Sequence, residues 1–188
     1  VGILQDITNE KKSIKLIEES EMRYRTLFEN SKGVMLLIDP IDGTIVNANN
    51  SAVDFYGYSI KELKKLKISD INTLTKNEIA REIESVRLGE KEVLNFRHRL
   101  KDGSIKDVEV RSGPMNLDGR ELLYSIIHDI TKRRHAEQQL NLWASVIKNT
   151  NEGVVITDNR NNILDVNPAF SKITGYSLSE VKGIKPNI

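Results

Sequence analysis

Cysteine is the first absence in this sequence of 188 residues. Without a thiol the chain can form no disulfide, no thiolate metal site, no cysteine nucleophile and no cysteinyl adduct with a cofactor. Long apolar runs are missing as well, because the longest, Val34 to Ile38, is far too short to cross a bilayer. We therefore expect a cytoplasmic chain without direct membrane contact, which leaves room for a longer parent protein that is tethered to a membrane elsewhere.

An excess of charge of one sign is also absent. The 28 Lys and Arg residues nearly balance the 27 Asp and Glu residues, which leaves a formal net charge of +1. No long-range field attracts the chain to nucleic acid or to an anionic membrane surface, so we expect neither partner.

Groupings typical of catalysis or of metal binding are lacking too. The sequence shows no nucleophile beside a base and no paired titratable groups at a catalytic spacing, so we predict no catalytic residue and no enzyme activity for this chain. His128 and His135 have no carboxylate or cysteine partner at a ligand spacing, and we predict no metal site.

What the sequence does contain is two internal repeats. The tripeptide Asp-Ile-Thr begins at Asp6 and again at Asp129, each time between an apolar stretch and a charged helical one. The tripeptide Gly-Tyr-Ser begins at Gly57 and again at Gly175. This order predicts a domain end (1–8), a linker helix (9–21), a complete domain (22–131), a second linker helix (132–146) and a domain beginning (147–188).

The first half of the complete domain alternates strands with short helices. The apolar run from Val34 is followed by turn-forming residues, which predicts a buried strand and a hairpin. Asn49 is expected to cap a short helix that Gly57 ends. Capping boxes, in which a hydroxyl residue is followed three positions later by Glu, begin two more helices at Ser59 and Thr75.

The second half changes to a period of two, which predicts three consecutive antiparallel strands. Asp102 and Gly103 supply the first turn, and Pro114 is expected to end the second strand. The third strand covers residues 121–128. The inward rows of the first two strands are Leu94, Phe96, His98 and Leu100, and Val108, Val110 and Ser112.

Taken together, the motifs resemble those of the PAS family of sensory domains. The resemblance spans the chain and is carried by Asn47-x-Asn49 leading to Gly57-Tyr58-Ser59, by Lys101-Asp102-Gly103-Ser104 and by Asp129-Ile130-Thr131. It implies an α+β PAS fold with a five-stranded antiparallel sheet in the order two-one-five-four-three. Short helices would close a pocket over one face, with amphipathic linker helices on either side.

The resemblance also implies a sensory or regulatory role. A signal would pass through the linker helices to an output domain, which we expect to be a cyclic-di-GMP synthase or phosphodiesterase or, as the alternative, a histidine kinase. Two roles remain open for the pocket: it binds a small ligand, or its own side chains fill it and the domain is a dimerising spacer. The candidate lining residues are Met35, Leu37, Asn49, Phe55, Ile83, Phe96, His98 and Val108.

The ligand itself is not identified by the sequence. Haem-binding members of the family carry the ligating histidine on the long helix, and residues 76–88 contain none. Light-sensing members need a reactive cysteine, so a covalent flavin or chromophore adduct is excluded. A non-covalent flavin or a small metabolite remains. His98 is interpreted either as a haem, metal or ligand contact or as a polar residue near a strand end.

The linkers carry apolar residues at helical spacing, with Ala136, Leu140, Trp143 and Ile147 on one stripe of the second. This helix either pairs with its copy as a coiled coil in a homodimer or folds onto its own domain. Ile17, Tyr24 and Phe28 are expected to play a similar part in the first linker. Asp129, Thr131 and Leu140 are the predicted signal-relay residues.

Overall fold

The computed structural model describes residues 22, 25–117 and 119–186. The predictions for residues 1–8 and 9–21, with Ile17, and the one for Tyr24 therefore lie outside the described residues. Backbone contacts divide the chain into two units, with the boundary between Thr131 and Lys132. Each unit is described by itself below.

The first unit is built on a five-stranded antiparallel sheet. Its strands have the order β2-β1-β5-β4-β3, so the predicted fold and strand order are confirmed. Residues 25–29 are helical. The elements that follow are β1 (Val34–Ile38), β2 (Ile45–Ala48), α1 (Asn50–Tyr56), α2 (Ile60–Leu63), α3 (Ile68–Ile71), α4 (Lys76–Arg87), β3 (Val93–Arg99), β4 (Ile105–Leu117) and β5 (Arg120–Asp129).

The caps predicted for α1, α2 and α4 are formed. The Asn49 side chain accepts a hydrogen bond from the Ala52 N–H at the start of α1, and Gly57 ends that helix with a φ of 76°. Glycine adopts such a left-handed backbone angle readily because it has no Cβ. Ser59 and Thr75 each complete a capping box, at the starts of α2 and α4. These contacts satisfy N–H groups that a helix cannot satisfy internally.

Both faces of the sheet are covered by apolar side chains. Helices α1 to α4 pack on the face that we call the inner face, where Tyr56, Leu63 and Ile71 are fully buried. On the opposite, outer face, Phe28 packs with Leu37 and Leu122. The strands in the middle of the sheet are therefore apolar on both sides, as is typical of strands buried between two layers.

Contrary to expectation, Pro114 does not end β4, which continues to Leu117. The reason lies in the direction of the backbone groups. The Ser112 N–H donates to the Glu92 carbonyl, which is on the β3 side of β4. Alternation along a strand places the Pro114 nitrogen on that same side, beyond the residue where β3 begins. The missing N–H therefore costs no bond to β5, and Pro114 still pairs with Leu123.

The second unit repeats only the beginning of the first. Its elements are β6 (Val155–Thr157), β7 (Ile163–Val166), α6 (Pro168–Thr174) and α7 (Leu178–Val181), and they follow α5 (Thr131–Asn149). Asn167 caps α6 as Asn49 caps α1. Within the described part of this unit, only Ile163, Asn167 and Ala169 are buried. None of the described helices combines the length and apolar character that crossing a membrane requires.

Candidate functional site

A cavity of about 40 Å³ lies between the inner face of the sheet and helix α4. Its walls are mostly aliphatic. They are formed by β1, β3, β4, β5, α3 and α4, and the lining residues are Leu36, Ile38, Ile68, Asn72, Ile79, Glu82, Ile83, Val86, Leu94, Phe96, His98, Val110, Ser112, Leu123, Ser125 and Ile127.

Three of the eight candidate residues line this cavity, namely Ile83, Phe96 and His98. That they contact a ligand stays a prediction. Met35 and Leu37 do not line it, because they point to the outer face and pack with the Phe28 cluster. This corrects their expected position. The run from Val34 to Ile38 is apolar throughout, so its composition does not distinguish the two faces.

The other three candidates are buried or half-buried away from the cavity. Asn49 is buried at the start of α1, where its amide is fully used in backbone hydrogen bonds. Phe55 packs edge-on against Tyr56, with 4.9 Å between the ring centroids. Val108 is fully buried in the same core, where it pairs with Phe96 on one side and with Asp129 on the other.

His98 belongs to a buried hydrogen-bond network. Its Nδ1 lies 2.9 Å from the Tyr56 hydroxyl, and its Nε2 lies 3.4 Å from the Asn72 side-chain nitrogen. Asn72 Oδ1 accepts from the Leu74 N–H, so the amide nitrogen is the group that faces the imidazole. The Asn72 amide therefore donates to Nε2, and the proton of the neutral ring lies on Nδ1, which donates to Tyr56.

Burial lowers the pKa of His98 to about 4, so the ring is neutral at pH 7. Burial also raises the pKa of Tyr56, which keeps its hydroxyl protonated. Both ring nitrogens of His98 contact protein groups, and neither is available to bind haem or a metal. His98 lies one residue before the end of β3 and is buried there. In the described part of the chain, no three His, Cys, Asp or Glu residues are grouped to bind a metal ion.

Two serines lie side by side in the cavity wall, where β4 and β5 pair Ser112 with Ser125. Both are buried, and their Oγ atoms are 2.8 Å apart. The Ser112 hydroxyl donates to the Tyr124 carbonyl at 2.7 Å. The sequence places Ser112 on the inward row, but nothing in it connects Ser112 with Ser125, which is 13 positions away.

The end of β5 is fastened to β4 at the point where α5 begins. The Ile130 N–H donates to the Asp107 carbonyl at 2.9 Å, and the Asp107 N–H donates to Thr131 Oγ1 at 3.0 Å. Asp129 Oδ1 accepts from the Thr131 N–H at 2.8 Å, and Asp129 Oδ2 lies 3.6 Å from Lys106 Nζ. Partial burial would raise the pKa of Asp129, but the hydrogen bonds from Thr131 and the charge of Lys106 outweigh it and lower the pKa.

Helix α5 has no buried residue. Leu140 is 69% exposed and Trp143 is 64% exposed, and Leu142 and Val146 are exposed as well. A helix that exposes several large apolar side chains typically buries them against a partner.

Comparison with protein families gives two matches, both to models described as PAS domain. One covers residues 32–132 and the other covers residues 141–187. The chain is 40% identical over 120 residues to diguanylate cyclase DgcM of Escherichia coli (strain K12), which covers 62% of this chain and 29% of that protein. It is 31% identical over 190 residues to sporulation kinase E of Bacillus subtilis (strain 168), covering 97% of this chain and 25% of that protein.

Solved structures give the same fold. The PAS domain of an HTR-like protein from Haloarcula marismortui superposes with a TM-score of 0.58 at 27% identity, covering 64% of this chain and 99% of that one. A PAS domain from Desulfitobacterium hafniense superposes with a TM-score of 0.51 at 24% identity, covering 54% of this chain and 95% of that one. The chain spans 29% or less of the length of the two curated relatives named above.

Proposed function

Because this chain belongs to the PAS domain family, as its match over residues 32–132 shows, we propose that its complete domain senses a small molecule and passes the signal on through α5. The chain is a PAS sensory module. The finer steps, from ligand to helix to output domain, are inferred from the contacts described above.

The junction between β5 and α5 carries this proposal. Asp129, Ile130 and Thr131 connect the last strand to α5, and their contacts with Lys106 and Asp107 hold the junction against β4. Strands β4 and β5 also contribute Ser112 and Ser125 to the cavity wall. A displacement of these strands by a ligand therefore changes the position of the first turn of α5.

Replacement of Asp129 by Ala tests the junction. We expect hydrogen exchange of residues 131–136 to become roughly 5-fold faster, because the first turn of α5 loses the acceptor of its Thr131 N–H and the partner of Lys106. Exchange of the β5 amides should stay unchanged. The measurement is amide exchange by mass spectrometry on the purified chain.

Asp102→Ala is the matched control for this experiment. Asp102 accepts hydrogen bonds from Ser104 within the β3–β4 turn; its charge also acts on Lys106, but it accepts no hydrogen bond from Thr131. Equal exchange rates in α5 for the wild type and Asp129→Ala would contradict the proposal that the junction passes the signal to α5.

The size of the cavity limits the ligand. Sites for drug-sized ligands and cofactors occupy ~300–1,000 Å³, whereas this cavity measures about 40 Å³. A non-covalent flavin does not fit this arrangement, and a small metabolite is the remaining class. The same small volume favours the runner-up function, a spacer whose pocket is filled by its own side chains. Denaturing extraction of the purified protein and mass spectrometry detect a tightly bound metabolite, and NMR titration of the cavity methyl groups detects a weakly bound one. Binding in either experiment is expected only from a sensor.

We propose that the chain forms a homodimer in which α5 pairs with its copy. The stripe that contains Leu140 and Trp143 is exposed and apolar, and its spacing suits a coiled coil. Dimers of this kind would join the relay helices of two chains and thereby transmit one signal to a paired output.

Leu140→Glu should raise the dimer dissociation constant by roughly 10- to 100-fold, because a carboxylate on the stripe would lose hydration at the interface. Sedimentation velocity over a range of concentrations measures this. Gln138→Glu adds the same charge on the opposite side of the helix and should leave the association unchanged. Equal sedimentation of the two variants would exclude α5 as the interface.

For the output we propose a diguanylate cyclase domain, as in the relative named DgcM, with a histidine kinase as the alternative on the basis of sporulation kinase E. The higher identity to DgcM favours the first. Sequencing the parent gene distinguishes the two, because a Gly-Gly-Asp-Glu-Phe motif marks the cyclase, and a phosphorylatable histidine helix with an ATP-binding domain would rule it out.

A further inference from the structure

We propose that the cavity takes an uncharged ligand of about three non-hydrogen atoms that donates one hydrogen bond to Ser125 Oγ, such as a short-chain alcohol. The proposal rests on the sensing function proposed above and names the ligand class of the same site. It follows from the size of the cavity, from its charge and from the count of protons in the serine pair.

The small volume of the cavity restricts the size of the ligand. A water-sized group needs ~10–15 Å³ of such a cavity, so about 40 Å³ accommodates about three of them. Most of the wall is aliphatic, with Leu36, Ile83, Val110 and Leu123 among the lining residues. A ligand that fits must therefore be small and mostly apolar.

The ionisable groups that line the cavity offer no free charge to a ligand. Glu82 is the carboxylate in the described lining, and both its oxygens are ion-paired, at 3.1 and 2.9 Å, with Lys91 Nζ. His98 is neutral at pH 7 because burial lowers its pKa to about 4. Neither group offers uncompensated charge to a ligand. Because bringing an unpaired charge into an apolar site is costly, we expect the site to reject small anions and cations.

The third point is the proton count of the serine pair. A serine hydroxyl has one proton and two acceptor positions. The Ser112 proton is used in the bond to the Tyr124 carbonyl, so the 2.8 Å contact between the two hydroxyls must use the Ser125 proton. Ser125 Oγ therefore donates to Ser112 and keeps its own lone pairs available. It lies buried in the cavity wall and can only accept from a ligand.

Water satisfies this site less well than an alcohol does. A buried water typically makes about three hydrogen bonds. In the described lining, the other side-chain acceptors each already receive a hydrogen bond: Asn72 Oδ1 from Leu74, His98 Nε2 from Asn72, Ser112 Oγ from Ser125, and the Glu82 carboxylate from Lys91. A molecule with one hydroxyl and an alkyl remainder makes the single bond that Ser125 offers and fills the aliphatic space.

The test compares isomeric probes on the purified full chain by methyl NMR. Ethanol and dimethyl ether contain the same atoms, but only ethanol donates a hydrogen bond. We expect ethanol to shift the methyl signals of Ile83, Val110 and Leu123 saturably, with a dissociation constant on the order of 10 mM. Dimethyl ether should bind roughly 10-fold more weakly, and ethylammonium and acetate should cause no saturable shift.

Two serine variants should each remove the preference for ethanol over dimethyl ether. In Ser125→Ala the acceptor is lost, and ethanol should bind roughly 10-fold more weakly, like the ether. In Ser112→Ala the Ser125 proton loses its acceptor and becomes available to a ligand, so dimethyl ether should bind within ~2-fold of ethanol. Val110→Ile adds one methylene to the wall and should abolish saturable binding by either probe while the outer-face signals of Leu37 and Leu122 keep their positions.

Equal affinity of ethanol and ether in the wild type would overturn the proposal, as would the absence of saturable shifts or shifts confined to the outer face. The ligand class and the relay through α5 can fail independently of each other. If ethanol fails while Asp129→Ala still accelerates exchange in α5, the ligand class is wrong and the relay stands. If ethanol binds as expected while Asp129→Ala has no effect, the relay fails and the ligand class stands.

Discussion

Replacing Asn49 by Ala lowers the free energy of unfolding of the first unit by about 3 kcal/mol. Asn49 Oδ1 accepts from the N–H groups of Met35 and Ala52, and its Nδ2 donates to the carbonyls of Gly33 and Ser31. The side chain is buried, with 1% of its surface exposed. Alanine removes a helix cap and leaves backbone groups at the start of β1 without partners, and each buried group left so is destabilising.

Urea unfolding followed through the methyl signals of Leu36 and Ile127 measures the effect in the first unit. Asn49→Asp separates capping from the bonds to the preceding segment, since a carboxylate still accepts from Ala52 but cannot donate to Gly33. We expect it to be destabilised as well. A wild-type stability for Asn49→Asp would show that the bonds accepted from Met35 and Ala52 are sufficient and that the donated bonds contribute nothing.

Asn167→Ala is the matched control. Asn167 makes the same four bonds in the second unit, accepting from Val154 and Phe170 and donating to Ile147 and Glu152. Its loss should leave the unfolding of the first unit unchanged. An equal effect there would contradict a local role for the Asn49 bonds.

Lowering the pH from 7 to 4 destabilises the first unit by about 3 kcal/mol through His98, whose pKa falls from 6.5 to about 4 on burial. The unfolded chain takes up the proton below pH 6.5, whereas the folded chain takes it up only near pH 4. The stability contribution is therefore complete above pH 6.5 and is lost as the pH falls toward 4. Urea unfolding at a series of pH values measures the slope.

The window from pH 6.5 to 5 isolates His98 from the carboxylates. Hydrogen bonds from Thr44 and Lys67 lower the pKa of Asp42 to about 2, and those from Lys101 and Ser59 lower the pKa of Glu62 to about 2. Their contributions are lost only below about pH 4.5, where the unfolded carboxylates take up protons. His98→Gln removes the titrating ring, so its stability should stay nearly flat between pH 6.5 and 5. A slope as steep as that of the wild type would disprove the assignment.

The sequence predicts the inward rows of β3 and β4 because each has one polar and one apolar side. It does not predict them for β1, where Met35 and Leu37 were assigned to the cavity but lie on the outer face. Every residue of that strand is apolar because both sides of the sheet are covered, and a pattern without alternation holds no information about direction.

The sequence also does not predict the hydrogen-bond partners of His98. The alternation places His98 inward, but Tyr56 and Asn72 lie 42 and 26 positions away along the chain. Only the packing of α1 and α3 against β3 brings them to the imidazole. The capping residues, by contrast, act within three or four positions, and for this reason the caps of α1, α2 and α4 were all predicted from local sequence.

Strand β5 has neighbours on both sides, with β1 along one edge and β4 along the other. β1 pairs with β5 only over residues 123–127, whereas His128 and Asp129, which lead into α5, pair with β4 alone. The backbone of residues 123–127 opens only if two ladders break together, so we expect its amides to exchange more slowly than those of His128 and Asp129. Fraying of the edge strands β2 and β3 leaves the pairing of His128 and Asp129 with β4 intact. Slow local opening of the edge strands is therefore expected to occur independently of the hydrogen bonds between Asp107 and residues 130–131, where β5 ends.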